Sequence, residues 1–383
     1  MQMQKNESKM NPKQKLNNNL KNIIGKSVKE KYVIIESDDW GSIRMPSLAA
    51  LKRLKSKGLS LESGYSKRYN NTDTLASKKD FECLYEVLSK HKDVDGNSPL
   101  FTALSLVANP DFDKIKANNF TKYEYEPFPK TLKKYGEADA LPMWKEGIDN
   151  NLFYPEFHGR EHLNVNVWMR ALQAGDKPTK LAFDEGLWAI KTEKAYNVNF
   201  QAAFDVQEKS DIEDQKQIIS DGLELFEKLH GYKARYIVPP NGAFNNQLLE
   251  TAAQNGIDFY GASKIQNEPQ GQGNHKKALH WLGKINKFDQ TTITRNAFFE
   301  PNEIGMYGVE DCLKSIHYAF KWNKPAVISS HRTNYIGVHN PKNREKGLRE
   351  LDELLFRILK QWPDVKFITS TKLGEIISNK KFY

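Results

Sequence analysis

The sequence predicts an α/β fold in which seven or eight parallel strands form a (β/α) barrel. Three observations lead to this prediction. Short apolar runs recur along the 383 residues, segments of helical character separate them, and a hydrophobic content of 39% is enough for one large core. Strands that alternate with helices pair in parallel through right-handed crossovers, and barrels of this length form a single domain.

Eight apolar runs have the length of buried strands. They cover residues 32–35, 100–107, 153–157, 198–204, 235–238, 258–261, 326–329 and 365–369. Seven other segments are predicted as helices, several of them with apolar residues three and four positions apart, as in Leu223, Phe226 and Leu229. These segments cover residues 48–57, 79–90, 165–174, 212–230, 246–255, 309–322 and 345–361.

We expect one catalytic barrel domain over residues 26–383. Residues 1–25 are polar and rich in Lys, Asn and Gln, which predicts a disordered N-terminal tail. Residues 120–149, rich in Tyr, Pro and Lys, do not fit the strand–helix repeat and are expected to form an inserted, lid-like segment. Residues 266–277, rich in Gly and Gln, are expected to form a flexible loop.

Composition narrows the classes of partner and location. The formal net charge is +9, but 48 acidic residues are interleaved with the 57 basic ones, so we expect no specific nucleic-acid partner. Peripheral contact with an anionic membrane stays open. No apolar run is long enough for a transmembrane segment, and the N-terminus lacks the apolar region of a secretory signal, which predicts a cytoplasmic location. Two scattered cysteines, Cys83 and Cys312, predict no disulfide.

Two adjacent carboxylates, Asp38 and Asp39, follow the first apolar run. Like charges this close raise each other's pKa unless a cation lies beside them, so the pair indicates a bound metal, a catalytic base, or both. The alternative is a simple turn, because Asp-Asp-x-Gly is also good turn chemistry. These residues alone do not decide between the two.

A second motif places His158 and His162 four residues apart. If His162 lies on a helix and His158 at its entry, both rings point to one face. Two imidazoles and one carboxylate suit a divalent ion, Zn²⁺ in the first place with Co²⁺, Ni²⁺ or Mn²⁺ as alternatives, and leave one position open. The motif is not that of the metalloproteases, because Gly159 follows the first histidine.

Two further strand ends carry polar groups. The run 326–329 leads to His331, which is either a functional group or a histidine at the edge of the core. The run 235–238 leads to Pro239-Pro240-Asn241-Gly242, a turn that can direct backbone N–H groups into a cleft. The strand ends of a barrel form its catalytic rim, and Asp38, His158, Pro240 and His331 all follow a predicted strand.

In chain order these four motifs resemble those of the polysaccharide deacetylase family, carbohydrate esterase family four, over residues 31–377. The resemblance implies a distorted barrel and one metal ion bound by Asp39, His158 and His162. It also implies that Asp38 is the general base and His331 the acid. Asn241, with Pro240, would then stabilise the oxyanion or contact the substrate.

The sequence departs from the family pattern in several places. Trp40 separates the Asp pair from Gly41, Asn241 replaces an aromatic residue, and Val238 stands where the family has an arginine that orients the base. Candidates to replace that arginine are Arg235, Arg44, Arg160 and Arg295. No clear copy of the family's Asp-Trp motif is present; residues 295–301 could stand in for it, and Glu300 is the candidate to orient His331.

The function that this resemblance implies is removal of acetyl groups from an N-acetylated sugar or polysaccharide, with O-acetyl groups as the second choice. An acetylated carbohydrate is then the expected partner. Two alternatives stay open. One is an amidohydrolase of the same fold that acts on a small nitrogenous metabolite, and the other is a carbohydrate-binding relative without catalysis, which the arginine missing at Val238 would favour.

Overall fold

The structure, a computed structural model, describes residues 12–61, 66–191, 196–303, 305 and 307–378. Its α-helices are α1 (Pro12–Ile23), α2 (Leu48–Ser56), α3 (Ser66–Thr72), α4 (Lys78–Ser89), α5 (Phe112–Ala117), α6 (Phe128–Lys134), α7 (Leu141–Asp149), α8 (Val165–Gln173), α9 (Lys177–Asp184), α10 (Asp211–His230), α11 (Leu248–Gln254), α12 (Val309–Lys321), α13 (Pro341–Gln361) and α14 (Ser370–Ser378).

The strands are β1 (Tyr32–Trp40), β2 (Phe101–Leu106), β3 (Ala108–Pro110), β4 (Tyr125–Pro127), β5 (Phe153–Gly159), β6 (Tyr236–Ile237), β7 (Phe259–Gly261), β8 (Ile265–Gly271), β9 (Asn274–Leu279), β10 (Thr291–Ile293), β11 (Ala297–Phe298), β12 (Ala326–His331) and β13 (Lys366–Phe367). Short 3₁₀ turns at Ala138–Ala140, Pro240–Gly242 and Arg332–Asn334 connect some of them.

One curled parallel sheet forms the centre of the molecule and confirms the predicted distorted barrel. Eight strands follow the order β10-β7-β6-β5-β2-β1-β12-β11, and β13 pairs with β1 as a ninth. All these pairings are parallel. Tyr236 of β6 donates its hydroxyl hydrogen to Glu36 of β1 at 2.8 Å, although three strand-to-strand steps separate the two in the sheet. The sheet therefore closes far enough for its inner side chains to meet.

Both faces of β1 are buried, as expected for a parallel strand covered by helices. Val33 and Ile35 belong to one apolar cluster and Ile34 to another, because successive side chains of a strand point to opposite faces. In the first cluster they pack with residues of α4, α12 and α13. This packing fixes β1 rigidly, and the residues that follow Ile35 are held at the rim.

Two predicted elements are corrected by the structure. Residues 198–204 form turns rather than a strand. Their apolar side chains Val198 and Phe200 pack against α8 and α9, so burial came from helix contacts and not from sheet pairing. Residues 266–277, predicted as a flexible loop, form most of the antiparallel β8–β9 hairpin. The sequence did not predict β10 and β11, because strands of three and two residues are too short to appear as apolar runs.

The prediction of a disordered tail over residues 1–25 is wrong for residues 12–23, which form α1. Polar contacts fix this helix. The Asn296 side chain donates to Asn22 Oδ1 at 2.9 Å, and the Trp322 indole donates to Asn19 Oδ1 at 2.9 Å. The polar composition of this segment suggested that it is solvated. Composition does not show which asparagines form hydrogen bonds with the rest of the fold. Residues 1–11 lie outside the described part of the chain.

The segment 120–149, predicted as a lid-like insertion, contains β4, α6 and α7. Phe128 of α6 and Trp144 of α7 are buried in the main core, and the Trp144 ring lies edge-on to Phe153 of β5 with ring centroids 5.3 Å apart. Much of this segment therefore covers the side of the barrel.

None of the helices in the described ranges combines the length and apolarity that a bilayer span requires.

Candidate metal centre and catalytic pocket

A distortion at the end of β1 brings Asp38 and Asp39 to the same pocket. The pairing of β1 with β2 shifts register between Ser37 and Trp40, and Asp39 has a φ of 77°. In a regular strand two successive side chains would face opposite sides, whereas a bulge with one residue in the left-handed region redirects the second. The buried Trp40 ring, whose Nε1 donates to Ser37 Oγ at 3.0 Å, anchors the distortion. Such strain in a non-glycine residue is typical of functional sites.

Asp39, His158 and His162 converge on one point. The Oδ1 atom of Asp39 lies 3.3 Å from His162 Nε2 and 3.6 Å from His158 Nε2. One ligand atom from each of the three residues lies within 4.8 Å of the other two. This spacing fits three ligands around a single ion, because metal–nitrogen and metal–oxygen bonds of about 2 Å allow separations of this size.

Hydrogen bonding prepares the ligand atoms for a cation. His158 Nδ1 lies 2.6 Å from the Val238 carbonyl oxygen, which can only accept, so Nδ1 carries the hydrogen and Nε2 presents a lone pair. Within the described residues, the buried Asp39 Oδ1 accepts no hydrogen bond. Burial raises the pKa of Asp39, but His158 and His162 lower it well below its usual range. A buried, ionised, unbonded oxygen beside two imidazoles fits a divalent metal ion.

The expectation that His162 lies on a helix is wrong. His158 is in β5, and His162 lies in the short connection before α8. Gly159, at a φ of 151°, allows the chain to turn at the strand end. The two rings still meet, with centroids 5.4 Å apart, through this turn instead of through helical spacing.

Arg295 is the arginine that contacts Asp38. Its Nη2 and Nη1 atoms donate to Asp38 Oδ1 and Oδ2 at 2.6 and 2.8 Å, which is a bidentate pair. Arg295 Nε also donates to the buried Glu36 at 2.5 Å. Burial by itself raises the pKa of Asp38. Arg295 and His158 outweigh this effect and hold the pKa below its usual value, so this carboxylate is ionised at neutral pH.

Arg235, another candidate, pairs with other carboxylates and not with Asp38. It precedes β6, at the strand-start edge opposite the rim, and its guanidinium donates to Asp258 at 2.8 Å and Glu375 at 2.7 Å. The other two candidates also have different partners. Arg160 donates to Glu161 at 2.6 Å, and Arg44 lies over the Tyr69 ring at 4.6 Å.

His331 is oriented by Glu300, with Nδ1 2.5 Å from Glu300 Oε1. Arg68 and Asn334 donate to the other oxygen of Glu300 at 2.7 and 2.9 Å and hold it in place. His331 Nε2 lies 3.8 Å from Asp38 Oδ2. Burial lowers the pKa of His331, but Glu300 and the two aspartates raise it to about 9. The ring is therefore an acid with its proton in place at neutral pH.

These groups line one cavity of about 390 Å³. Asn241, with a φ of 53°, lines its wall, whereas Pro240 is buried and is not among the lining residues. The cavity is lined by Lys21, Asp38, Asp39, His158, His162, Val238, Pro239, Asn241, Gly242, Gly261, Ala262, Ser263, Lys264, Arg295, Phe298, Ser329 and His331.

Sequence reasoning missed four residues of this region. Glu36 and Arg68 hold Arg295 and Glu300, and Lys21 and Lys264 line the cavity. A charge directly after the first apolar run, two residues before the Asp pair, could have identified Glu36. Lys21 lies in a polar segment and Arg68 in a short helix, and neither position carries a signal that distinguishes it from surface residues.

Comparisons with known proteins give only distant similarities. No family model matches the sequence, and no curated protein matches it significantly. Among solved structures, a 4-alpha-glucanotransferase from Thermococcus litoralis has a TM-score of 0.45 at 12% identity over 90% of this chain, which spans only 40% of that enzyme. A protein from Mycobacterium smegmatis described as a polysaccharide deacetylase has a TM-score of 0.43 at 10% identity, covering 94% of this chain and 95% of its own.

A third solved structure is a carbohydrate esterase family four pseudoenzyme from Bacillus anthracis. It has a TM-score of 0.36 at 13% identity and covers 90% of this chain and 66% of its own. Similarities this low do not indicate what the chain does, so its activity has to be inferred from the residues of the pocket.

Proposed function

We propose that this protein is a metal-dependent hydrolase that removes the acetyl group from an N-acetylated sugar. The proposal rests on three groups of residues that lie at one cavity. They are the Asp39–His158–His162 centre, the Asp38–Arg295 pair and the His331–Glu300 pair. Amide hydrolysis needs an electrophilic centre, a base and an acid, and these three groups can supply them.

A divalent ion held by Asp39, His158 and His162 would polarise the acetyl carbonyl and make water more acidic. Zn²⁺ suits two imidazole nitrogens and one carboxylate, with Co²⁺, Ni²⁺ and Mn²⁺ as alternatives. The open side of the three ligands faces a cavity large enough for one sugar ring.

Asp38 takes the proton of the attacking water. Arg295 fixes both of its oxygens and keeps it ionised, which lowers its basicity but guarantees the correct charge state and direction. Arg295 thus does the work of the arginine missing at Val238. The backbone near Asn241, on the cavity wall, is the candidate to stabilise the negative charge that develops on the acetyl oxygen.

His331 donates a proton to the departing nitrogen. An amine leaves poorly as an anion, so breaking the C–N bond requires an acid that still holds its proton at neutral pH. A pKa of about 9 meets that requirement. An ester releases an alkoxide that depends less on this proton, so the raised pKa favours an N-acetyl over an O-acetyl substrate.

The cavity volume also supports a second candidate, an amidohydrolase acting on a small nitrogenous metabolite. About 390 Å³ lies near the lower end of small-molecule sites and would accept such a ligand whole. The two candidates use the same chemistry and differ in the group attached to the amide nitrogen.

Acetate release tests the proposal. The chain loaded with Zn²⁺ should release acetate from N-acetylglucosamine oligosaccharides, lose that activity after chelation, and regain it when Zn²⁺ or Co²⁺ is added back. Release from a panel of small N-acetylated amines but from no sugar would favour the second candidate. No release from either class by the metal-loaded protein would contradict both.

A further inference from the structure

Two lysines line the pocket in addition to the groups assigned to catalysis. Lys21, near the end of α1, and Lys264, directly before β8, both line the cavity that contains Asp38 and His331. Among the described residues, no carboxylate stabilises either ammonium group. The carboxylates of the cavity, by contrast, are accounted for, since Arg295 pairs with Asp38 and the proposed metal ion would pair with Asp39.

The fold holds Lys21 in this position. Its neighbour Asn22 is buried and bonded to Asn296, and the Lys324 ammonium donates to the Gly25 carbonyl and, at 3.0 Å, to Ser27 Oγ. Together with the hydrogen bond from the Trp322 indole to Asn19, these contacts attach the end of α1 to the barrel on both sides of Lys21. Lys21 Nζ also lies 5.4 Å from the centroid of the Phe298 ring, another group that lines the cavity.

The two ammonium groups lie in an electrostatically unfavourable environment. Burial and the charges of Lys21 and Lys324 lower the pKa of Lys264 to about 8, and burial lowers the pKa of Lys21. Cations held together in a cleft without a counter-charge destabilise the protein, and an anion bound between them removes that cost.

We propose that Lys21 and Lys264 bind an anionic group of the substrate, so that the pocket selects an acetylated sugar that also carries a carboxylate or a phosphate. Both groups present anionic oxygens that accept charge-assisted hydrogen bonds from ammonium donors. This proposal rests on the proposed deacetylation for the identity of the substrate, but the anion site itself is a property of the two lysines.

Binding can be measured without turnover by using sugars that lack the acetyl group. The probes are methyl glucoside, its 6-phosphate, and methyl glucuronide, each titrated calorimetrically into the full-length, Zn²⁺-loaded chain. We expect at least one anionic sugar to bind about tenfold or more tightly than the neutral one, because hydrogen bonds to charged groups are the stronger ones. The phosphate and carboxylate arms show which anion the site prefers.

Variants assign this preference to the lysines. Lys264→Gln and Lys21→Gln should each reduce the preference for the anionic sugar about tenfold and leave neutral binding unchanged. Lys264→Arg should retain most of it, because the charge stays. Lys52→Gln, on the exposed face of α2, is the matched control for loss of one positive charge and should behave as the native chain.

The activity arm uses the N-acetylated counterparts of the same three sugars. In Lys264→Gln the KM for the anionic substrate should rise about tenfold while kcat changes little, since the lysine acts in binding. Equal affinity of native protein for neutral and anionic sugars, failure of both anionic sugars to bind, or a preference that survives both glutamine variants would overturn the proposal.

The two proposals fail separately. Acetate release from the neutral sugar without any anion preference would leave the deacetylase function intact and remove the anion site. Lysine-dependent binding of an anionic sugar without acetate release from any of the three would support the anion site and count against the deacetylase function.

Discussion

Asp38 and Asp39 are adjacent in sequence, yet their side chains have different partners. Asp38 is bound through both oxygens by Arg295, whereas Asp39 Oδ1 faces His158 and His162. The left-handed backbone at Asp39 makes this division possible, because it directs both side chains to the same cavity. Under the proposed function, two carboxylates of identical chemistry therefore serve as a base and a metal ligand because of their different partners and the backbone turn between them.

Substitution of each aspartate by asparagine tests this division. Asp38→Asn should lower kcat about 10²-fold or more, the usual scale of general acid–base catalysis, with metal content near that of the native chain. Asp39→Asn should lower metal content, because it replaces an anionic ligand with a neutral one. Metal analysis and acetate release on both variants give the answer, and the reverse pattern would refute the assigned roles.

The Glu300 carboxylate should control the alkaline limb of the pH–rate profile. In the proposed mechanism the protonated His331 is the active form, so activity should be full below its pKa of about 9 and fall as pH rises through that value. Glu300→Gln removes the main group that raises this pKa, so the fall should begin at a pH lower by about one unit or more.

The profile of kcat/KM against pH measures this shift. Glu303→Gln is the control, since Glu303 also pairs with Arg68, at 3.1 Å, whereas His331 bonds to Glu300. An alkaline limb that stays in place in Glu300→Gln would show that His331 does not act as the acid.

Among the elements, helix α13 supports the rim of the barrel near His331 through a close backbone approach. A Cβ atom on Gly347 would lie 1.8 Å from the Asn334 carbonyl oxygen, and Asn334 holds Glu300. Glycine is therefore required where α13 crosses the turn that follows β12. The turn and the helix together set the position of the His331–Glu300 pair.

Gly347→Ala should destabilise the fold by about 1–3 kcal/mol, the usual cost of forcing extra volume into a packed contact. It should also reduce turnover at temperatures where the chain stays folded, because the Asn334 turn must shift. Thermal unfolding and kcat measure the two effects. Gly308→Ala is the matched control, with an ordinary φ of −76° and, in the part of the chain that the structure describes, nothing packed within 4 Å of the added Cβ. Equal unfolding temperatures for the two variants would contradict the prediction.

Sequence reasoning located the motifs because each follows a buried strand, and parallel strands end at the same edge. It could not choose among four arginines, because Arg295 reaches Asp38 from 257 positions away along the chain. It failed at α1, where asparagines that look solvated form specific contacts. It also could not foresee the left-handed Asp39, which depends on the buried Trp40 beside it.

For the whole molecule, the proposed metal site joins distant parts of the barrel, since Asp39 lies near the end of β1 and the two histidines lie in β5 and after it. An ion that binds only the folded chain stabilises it, by about 2.7 kcal/mol when its concentration is 100 times Kd. Adding Zn²⁺ should therefore raise the unfolding temperature of the native chain and have little effect on His162→Ala. An equal rise in both proteins would place the ion elsewhere.

Anomalous X-ray diffraction at the zinc edge, from crystals grown with Zn²⁺, tests whether Asp39, His158 and His162 hold a metal ion. We expect one strong peak per chain, about 2 Å from an Asp39 carboxylate oxygen and from the Nε2 atoms of His158 and His162. We also expect Asp38 to stay paired with Arg295 and not to bind the ion. The proposed metal centre would be refuted by a chain with no peak between these three residues, or by one in which Asp38 replaces Asp39 as the ligand.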